Sequence, residues 1–408
     1  MIQLYIDPGT GSMLFSLVIG AVAAVTFGLR ALMIKLKFGF NKEKAKDVNK
    51  STYKYVIFSD HKRYWNVFEG LCKEADKRGI DIVYYTLSQD DPVFNCGLKH
   101  IKAEYLGEGN KPYSTLNFLS ADILIATTPN LDVYQWKRSR DVKWYVHIPH
   151  TVDDLAGYRM FGLDHYDALL ASGDNQIETA RKLEELRPSI NRKEIVTVGS
   201  PTLDALKEKL EKVGKCKKEG ERTTVLLAPT WGPSGILSRF GDKLLEELEK
   251  TGYEVIVRPH PQSLSSEKEL IEKLKDNHKN IEWNSDNDNF NVLNKADVLI
   301  TDFSGIIFDY SLVFDKPIIY TDTSFDPIIY DQDWLDEEYW SIRILPEIGL
   351  KLTEENFNKV GELIKEALDS EELKKGREKI GAICYQNRGN SAKAIVDYLI
   401  KKDEELNK

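Results

Sequence analysis

Residues 295–320, KADVLITDFSGIIFDYSLVFDKPIIY, admit few arrangements. Residues 297–301 form a short apolar run of strand type. Asp302-Phe303-Ser304-Gly305 breaks it, 306–314 carries helical apolar spacing, and Lys316-Pro317 ends that helix before a second strand at 318–320. A strand, a tight turn, a helix and a further strand make a crossover unit, which belongs in a parallel sheet. A Ser-Gly pair at a helix start leaves backbone N–H groups free at the positive end of the helix dipole. That arrangement holds anions, and phosphate is the expected one. The same residues also fit an ordinary strand-to-helix turn capped by Ser304.

The alternation recurs along the chain. Strand patterns fall at 55–58, 82–86, 123–127, 144–148, 168–172 and 195–198, with helical patterns at 65–78 and 176–186. Gly199-Ser200-Pro201 punctuates the sequence, a charged helix follows at 203–218, and the pattern restarts with strands at 224–227, 255–257 and 297–301. Helices are expected at 240–250, 268–277, 357–370 and 391–406. With 408 residues the chain has room for two domains. The expected fold is α/β, with two Rossmann-like domains facing across a cleft. The expected divisions are an anchor at 1–40, a linker at 41–52, a first domain at 53–200, a second at 201–388 and a C-terminal helix at 389–408.

Residues 13–36 are apolar apart from small polar residues, Arg30 and Lys35, long enough to span a bilayer. Lys35, Lys37, Lys42, Lys44 and Lys46 flank the C-terminal side and no Lys or Arg precedes the run. The positive-inside rule then places the following bulk in the cytoplasm, at the cell membrane. An interfacial helix or a removed signal are the other readings. The formal net charge of -9 disfavours a general nucleic-acid binder. Cys72, Cys96, Cys216 and Cys384 are far apart, as free thiols in a reducing compartment would be.

In open parallel sheets ligands bind beyond the carboxyl ends of the strands. The unusual polar residues fall there: His150 and Thr151, Pro229 and Thr230, Arg258 and His260, then Thr301, Asp302, Ser304 and Gly305. Arg258 offers a planar pair of donors to phosphate. His260 can donate a hydrogen bond or a proton, and His150 is a candidate general base. Asp302 fits a helix cap, and Asp309, one turn into its helix, fits a ligand hydroxyl; both also fit structural roles. His147 and His150 could hold a metal with Asp153, but they lack the helical spacing of a ligand pair, so no metal is expected; no cofactor is expected either. The chain has no GxxxxGK[ST] loop and no GxSxG elbow.

Ala228-Pro229-Thr230-Trp231, Arg258-Pro259-His260-Pro261 and 301–310, TDFSGIIFDY, resemble the CDP-glycerol glycerophosphotransferase family of teichoic acid synthesis in type, order and spacing. The resemblance implies a GT-B fold with the nucleotide donor held mostly by the second half, at Pro229, Thr230, Arg258, His260, Ser304, Gly305 and Asp309. The family's His-Gly-x-Pro-Leu-Lys histidine matches His150 best, with His147 as a weaker candidate. Where the family often carries a cation after Gly-x-Pro and after Ala-Pro-Thr-Trp, this chain has Thr202 and Gly232.

The expected function is a membrane-associated transferase that moves glycerol phosphate, or a related phosphoalcohol, from a CDP-linked donor to a polymeric or lipid-linked hydroxyl acceptor and releases CMP. A glycosyltransferase using a sugar nucleotide and an inactive membrane-tethered scaffold are the alternatives.

Overall fold

The computed structural model describes residues 53–216, 220–286, 288–321, 328, 334 and 337–408. The expected membrane helix at 13–36 lies outside them. Among the described residues no helix is long and apolar enough to cross a membrane.

Two parallel sheets carry the fold. The first has the order β3-β2-β1-β4-β5-β6-β7. Its strands are β1 Tyr53–Ser59, β2 Ile82–Thr86, β3 Ile101–Tyr105, β4 Ser120–Ala126, β5 Asp141–His147, β6 Ala168–Ala171 and β7 Glu194–Thr197. The second has the order β10-β9-β8-β11-β12-β13, from β8 Thr224–Leu227, β9 Glu254–Val257, β10 Glu282–Trp283, β11 Val298–Thr301, β12 Ile318–Thr321 and β13 Gly349–Leu352. In each sheet the order reverses beside the first strand, so the carboxyl ends there open into a crevice.

The central strands are apolar because both faces are covered. In β11, Val298 and Ile300 pack into one cluster with Leu244 and Leu248, whereas Leu299 points to the other with Phe290 and Ile318. Complete burial of each such side chain stabilises the fold by about 1.5–3 kcal/mol. In the first sheet Ile57 and Ile125 face one layer and Phe58 and Leu124 the other.

Gly199 marks the passage between the halves. Its φ of +93° suits glycine, and a Cβ there would lie 2.6 Å from the Gln386 carbonyl oxygen. That close neighbour belongs to the returning chain. Helix Glu371–Cys384 leads back, and helix Ser391–Leu406 packs its Ile395, Val396 and Leu399 into the core of the first sheet. Asp204, in helix Pro201–Val213, pins the return by accepting from Tyr385 Oη at 2.6 Å, Gly389 N at 2.7 Å and Ser391 Oγ at 2.5 Å.

Three strands, β3, β10 and β13, and helix Glu371–Cys384 have no counterpart among the sequence expectations. The three strands are sheet edges. β3, with only Ile101 fully buried, lacks the apolar run that marks a central strand. The helix expected at 306–314 is a short α-turn, Ile306–Phe308, continued by a π-turn, Asp309–Val313.

Candidate active site

The loops after β8, β9 and β11 meet the loop after β1 around a cleft of about 750 Å³, within the range of small-molecule sites. Pro229, Arg258, His260, Ser304 and Asp309 line it from the second half, and Lys62, Arg63, Trp65 and Asn66 from the first. A second opening of about 910 Å³ shares Asn66, Asp288, Asn289 and Asp309 with it and runs on beside helix Pro201–Val213.

Arg258 follows β9 and is held on two sides. One guanidinium nitrogen donates to Asn284 Oδ1, and the other to the Asp286 carbonyl at 2.8 Å. Burial lowers its pKa, with Asp286 and then Asp288 opposing. His260 is fixed by the Gln262 N–H, which donates to Nδ1 at 3.1 Å. The neutral ring therefore carries its proton on Nε2, as a donor. Burial and then the Arg63 charge lower its pKa, against Glu267, so the neutral form prevails near pH 7. Pro259 and Pro261 also line the cleft and restrict the loop between them.

Ser304 lines the cleft and its carbonyl accepts from the Ile307 N–H at 3.2 Å, while Gly305 holds the N-cap position of the short helix. Gly305 is exposed, and a Cβ there would meet open space, so a ligand can approach the backbone closely. Asp309 begins the π-turn, a departure from α-helix that recurs at functional sites. It borders both openings, and burial pushes its carboxyl up to about 7, with the Asn289 side chain opposing.

Thr230, Thr301 and Asp302 lie behind this wall. Asp302 is 1% exposed. Its carboxylate accepts from the Thr230 N–H at 2.9 and 3.0 Å, the Thr230 hydroxyl at 2.6 Å and the Ile236 N–H at 3.3 Å. Asp302 thus helps to start helix Ile236–Lys250, whereas the sequence suggested a cap on its own helix. Thr301 donates its hydroxyl to the Ala228 carbonyl at 2.8 Å. These three residues set the shape of the loop that presents Pro229.

His150 does not line the cleft. Its ring packs edge-on against Tyr64 at 5.1 Å and retains exposed surface, although protein surrounds it densely. That crowding, and then Arg63, lower its pKa, which leaves it neutral and able to take a proton. His147 is fully buried, with Nε2 3.1 Å from Tyr158 Oη and no partner for Nδ1. Burial drives its pKa down to about 3. Among the described residues no group of three or more His, Cys, Asp or Glu side chains is placed to hold a metal.

Lys62 and Arg63 were not singled out from the sequence. His61 organises them, because its Nδ1 accepts from the Arg63 N–H at 3.1 Å and caps the turn Lys62–Tyr64. The available signal was their position after β1, the same argument that picks out Arg258 after β9.

Two parallel sheets with a polar crevice at their carboxyl ends define a two-sheet α/β fold like that of the GT-B glycosyltransferases. The family described as CDP-Glycerol:Poly(glycerophosphate) glycerophosphotransferase matches residues 162–401, and the chain belongs to that family. Among solved structures, the Wall Teichoic Acid Polymerase TagF is 16% identical with a TM-score of 0.57, over 92% of this chain and 98% of that one. Its H548A form is 15% identical with a TM-score of 0.56, over 93% and 99%. UDP-GlcNAc 2-epimerase from Neisseria meningitidis, bound to UDP-GlcNAc, is 14% identical with a TM-score of 0.54, over 85% and 100%. These likenesses show a shared fold. No curated protein matches the sequence.

Proposed function

We propose that the protein transfers glycerol phosphate, or a related phosphoalcohol, from a CDP-linked donor to a hydroxyl acceptor in cell-surface polymer synthesis. The observation that carries this reading is the convergence of Pro229, Arg258, His260, Ser304 and Asp309 on one wall of the cleft, in a chain of this family. A similar structure, TagF H444N, was soaked with CDPG, which supports a CDP-linked donor for this chain.

The acceptor oxygen attacks the β-phosphorus of the donor and a new P–O bond forms. The bond from that phosphorus to the bridging oxygen breaks, and CMP leaves with the electron pair. His150, set back from the cleft beside Tyr64, takes the acceptor proton through a bridging water. Arg258 and His260 Nε2–H stabilise phosphate charge as it shifts toward the leaving group. Thr230, Thr301 and Asp302 hold the donor loop in shape. Gly305 lets the diphosphate approach the backbone, and Asp309 accepts from a donor hydroxyl. No cofactor enters this scheme.

The apolar run 13–36 and the lysines after it support a single membrane anchor with the catalytic part in the cytoplasm, close to a lipid-linked or polymeric acceptor. Retention of the full-length protein in carbonate-washed membranes checks this part, and release into the wash contradicts it.

The activity test is CMP release from CDP-glycerol and CDP-ribitol by the purified protein, beside His260→Ala. Release by the wild type and its loss in the variant support the reading; no release from any CDP-alcohol overturns it. The uncharged Thr202 and Gly232 favour a second reading, a sugar-nucleotide donor. A thermal shift with UDP- or CMP-sugars and none with CDP-alcohols selects that one.

A further inference from the structure

The cations that line the cleft among the described residues are Lys62, Arg63 and Arg258. Two of them already have partners. Lys62 pairs with Asp90, and Arg258 is held by Asn284 and the Asp286 carbonyl. Arg63 differs. Its guanidinium lies 4.9 Å over the Tyr64 ring and has no carboxylate within ion-pair distance among the described residues. It is exposed, and its backbone is fixed by the His61 ring. The guanidinium also bonds the Tyr64 side chain and its charge reaches Asp60; with five N–H donors it keeps others for bidentate recognition of phosphate at the mouth of the cleft.

Charge balance points the same way. A nucleoside diphosphate bound in the cleft brings more than one negative charge. The second-half wall answers with Arg258 and with a His260 that is neutral near pH 7. Thr202 and Gly232 add none. Arg63 faces this wall from the other half, and its charge is felt by both His260 and His150.

We propose that Arg63 is a substrate-binding residue supplied across the cleft, its guanidinium gripping the diphosphate of the donor from the first half, opposite Arg258 and His260. The identity of the donor rests on the function proposed above; the diphosphate contact is tested independently of it. The two halves then close on one ligand group.

Titration calorimetry of the whole protein with inorganic pyrophosphate, CDP-glycerol and cytidine tests this, using wild type, Arg63→Gln and Arg63→Lys. Arg63 is exposed, so the thermal midpoint of Arg63→Gln is expected to stay at the wild-type value, and this is measured first. The expected result is a loss of about tenfold or more in affinity for pyrophosphate and CDP-glycerol in Arg63→Gln. Arg63→Lys recovers part of it, because a point charge replaces the fork, and cytidine binding is unchanged. Equal affinities of wild type and Arg63→Gln for CDP-glycerol overturn the inference and leave the donor reading standing. Arg63-dependent pyrophosphate binding without binding of any CDP-alcohol does the reverse. Binding of neither ligand by the wild type overturns both.

Discussion

Each half carries an Asp and a Thr at the carboxyl ends of two adjacent central strands, with the residues exchanged. In the second half Thr230 follows β8 and Asp302 follows β11; in the first, Asp60 follows β1 and Thr128 follows β4. The second pair is closed. Asp302 accepts from both the backbone and the hydroxyl of Thr230 and from the Ile236 N–H. The first pair is looser. The Thr128 hydroxyl lies near enough to lower the Asp60 pKa against the dominant effect of burial, yet Asp60 Oδ1 and Thr128 Oγ1 make no hydrogen bond. Thr127 Oγ1, Asn130 Oδ1 and His147 Nδ1, at the same edge, also lack partners. Unpaired buried polar atoms cost free energy, and native folds carry few of them. The difference teaches that the second half fixes its strand ends by its own bonds, while the matching edge of the first half leaves buried polar atoms with fewer close partners.

The largest expected effect lies on the donor wall. His260→Ala removes a positioned donor to developing phosphate charge, and kcat/KM for CMP release is expected to fall about 10²–10³-fold. His260→Gln, which keeps an N–H, is expected to recover part of that loss. A drop of less than threefold would break the idea that the wall is preorganised for phosphate.

The paired carboxylates come next, and their contrast is the sharper test. Asp302→Ala leaves the Thr230 and Ile236 N–H groups unanswered in a buried loop and is expected to cost about 2–4 kcal/mol in urea unfolding. Asp60→Asn, which keeps the shape and the contact with Thr128, is expected to change stability by less than about 1 kcal/mol. Similar stability losses in the two variants would erase the distinction.

Asp309 gives a pH-dependent test. Its folded pKa, near 7, is above the ordinary carboxylate value, so the folded state holds its proton more tightly than the unfolded state. Its contribution to stability is greatest below about 4 and is lost as pH rises towards 7. Asp309→Asn, which cannot ionise, is therefore expected to gain about 1–2 kcal/mol over wild type at pH 8, a range reduced because the carboxyl still meets water. That gain should vanish at pH 4. A pH-independent difference would contradict burial as the cause.

The smallest effect belongs to Thr127, which is 1% exposed with an unpaired hydroxyl. Thr127→Val keeps the shape and removes that hydroxyl, so stability is expected to hold or rise by up to about 1 kcal/mol. A marked loss would show that the hydroxyl is bonded in the folded protein.

The central strands were readable because burial on both faces makes them continuous apolar runs, as in 298–301 and 224–227. Of the edge strands only β7, expected at 195–198, was readable; β3 and β10 are half-exposed or only two residues long. The residues at strand ends could be named from the sequence, but their direction could not. Thr301, Asp302 and Ser304 are near neighbours in the chain, yet two turn inward and one lines the cleft. Arg63 was missed because His61-Lys62-Arg63 resembles any solvated basic run until its position after β1 is known. The π-turn at Asp309 has no sequence signature in an apolar helical pattern.

The most direct measurement is a crystal structure of the protein with CDP-glycerol bound. The account predicts diphosphate oxygens about 3 Å from His260 Nε2 and from the backbone at Gly305, with Arg63 reaching them from the opposite side and the β-phosphorus open toward His150. A nucleotide bound elsewhere, or a diphosphate turned away from both His260 and Arg63, would contradict it.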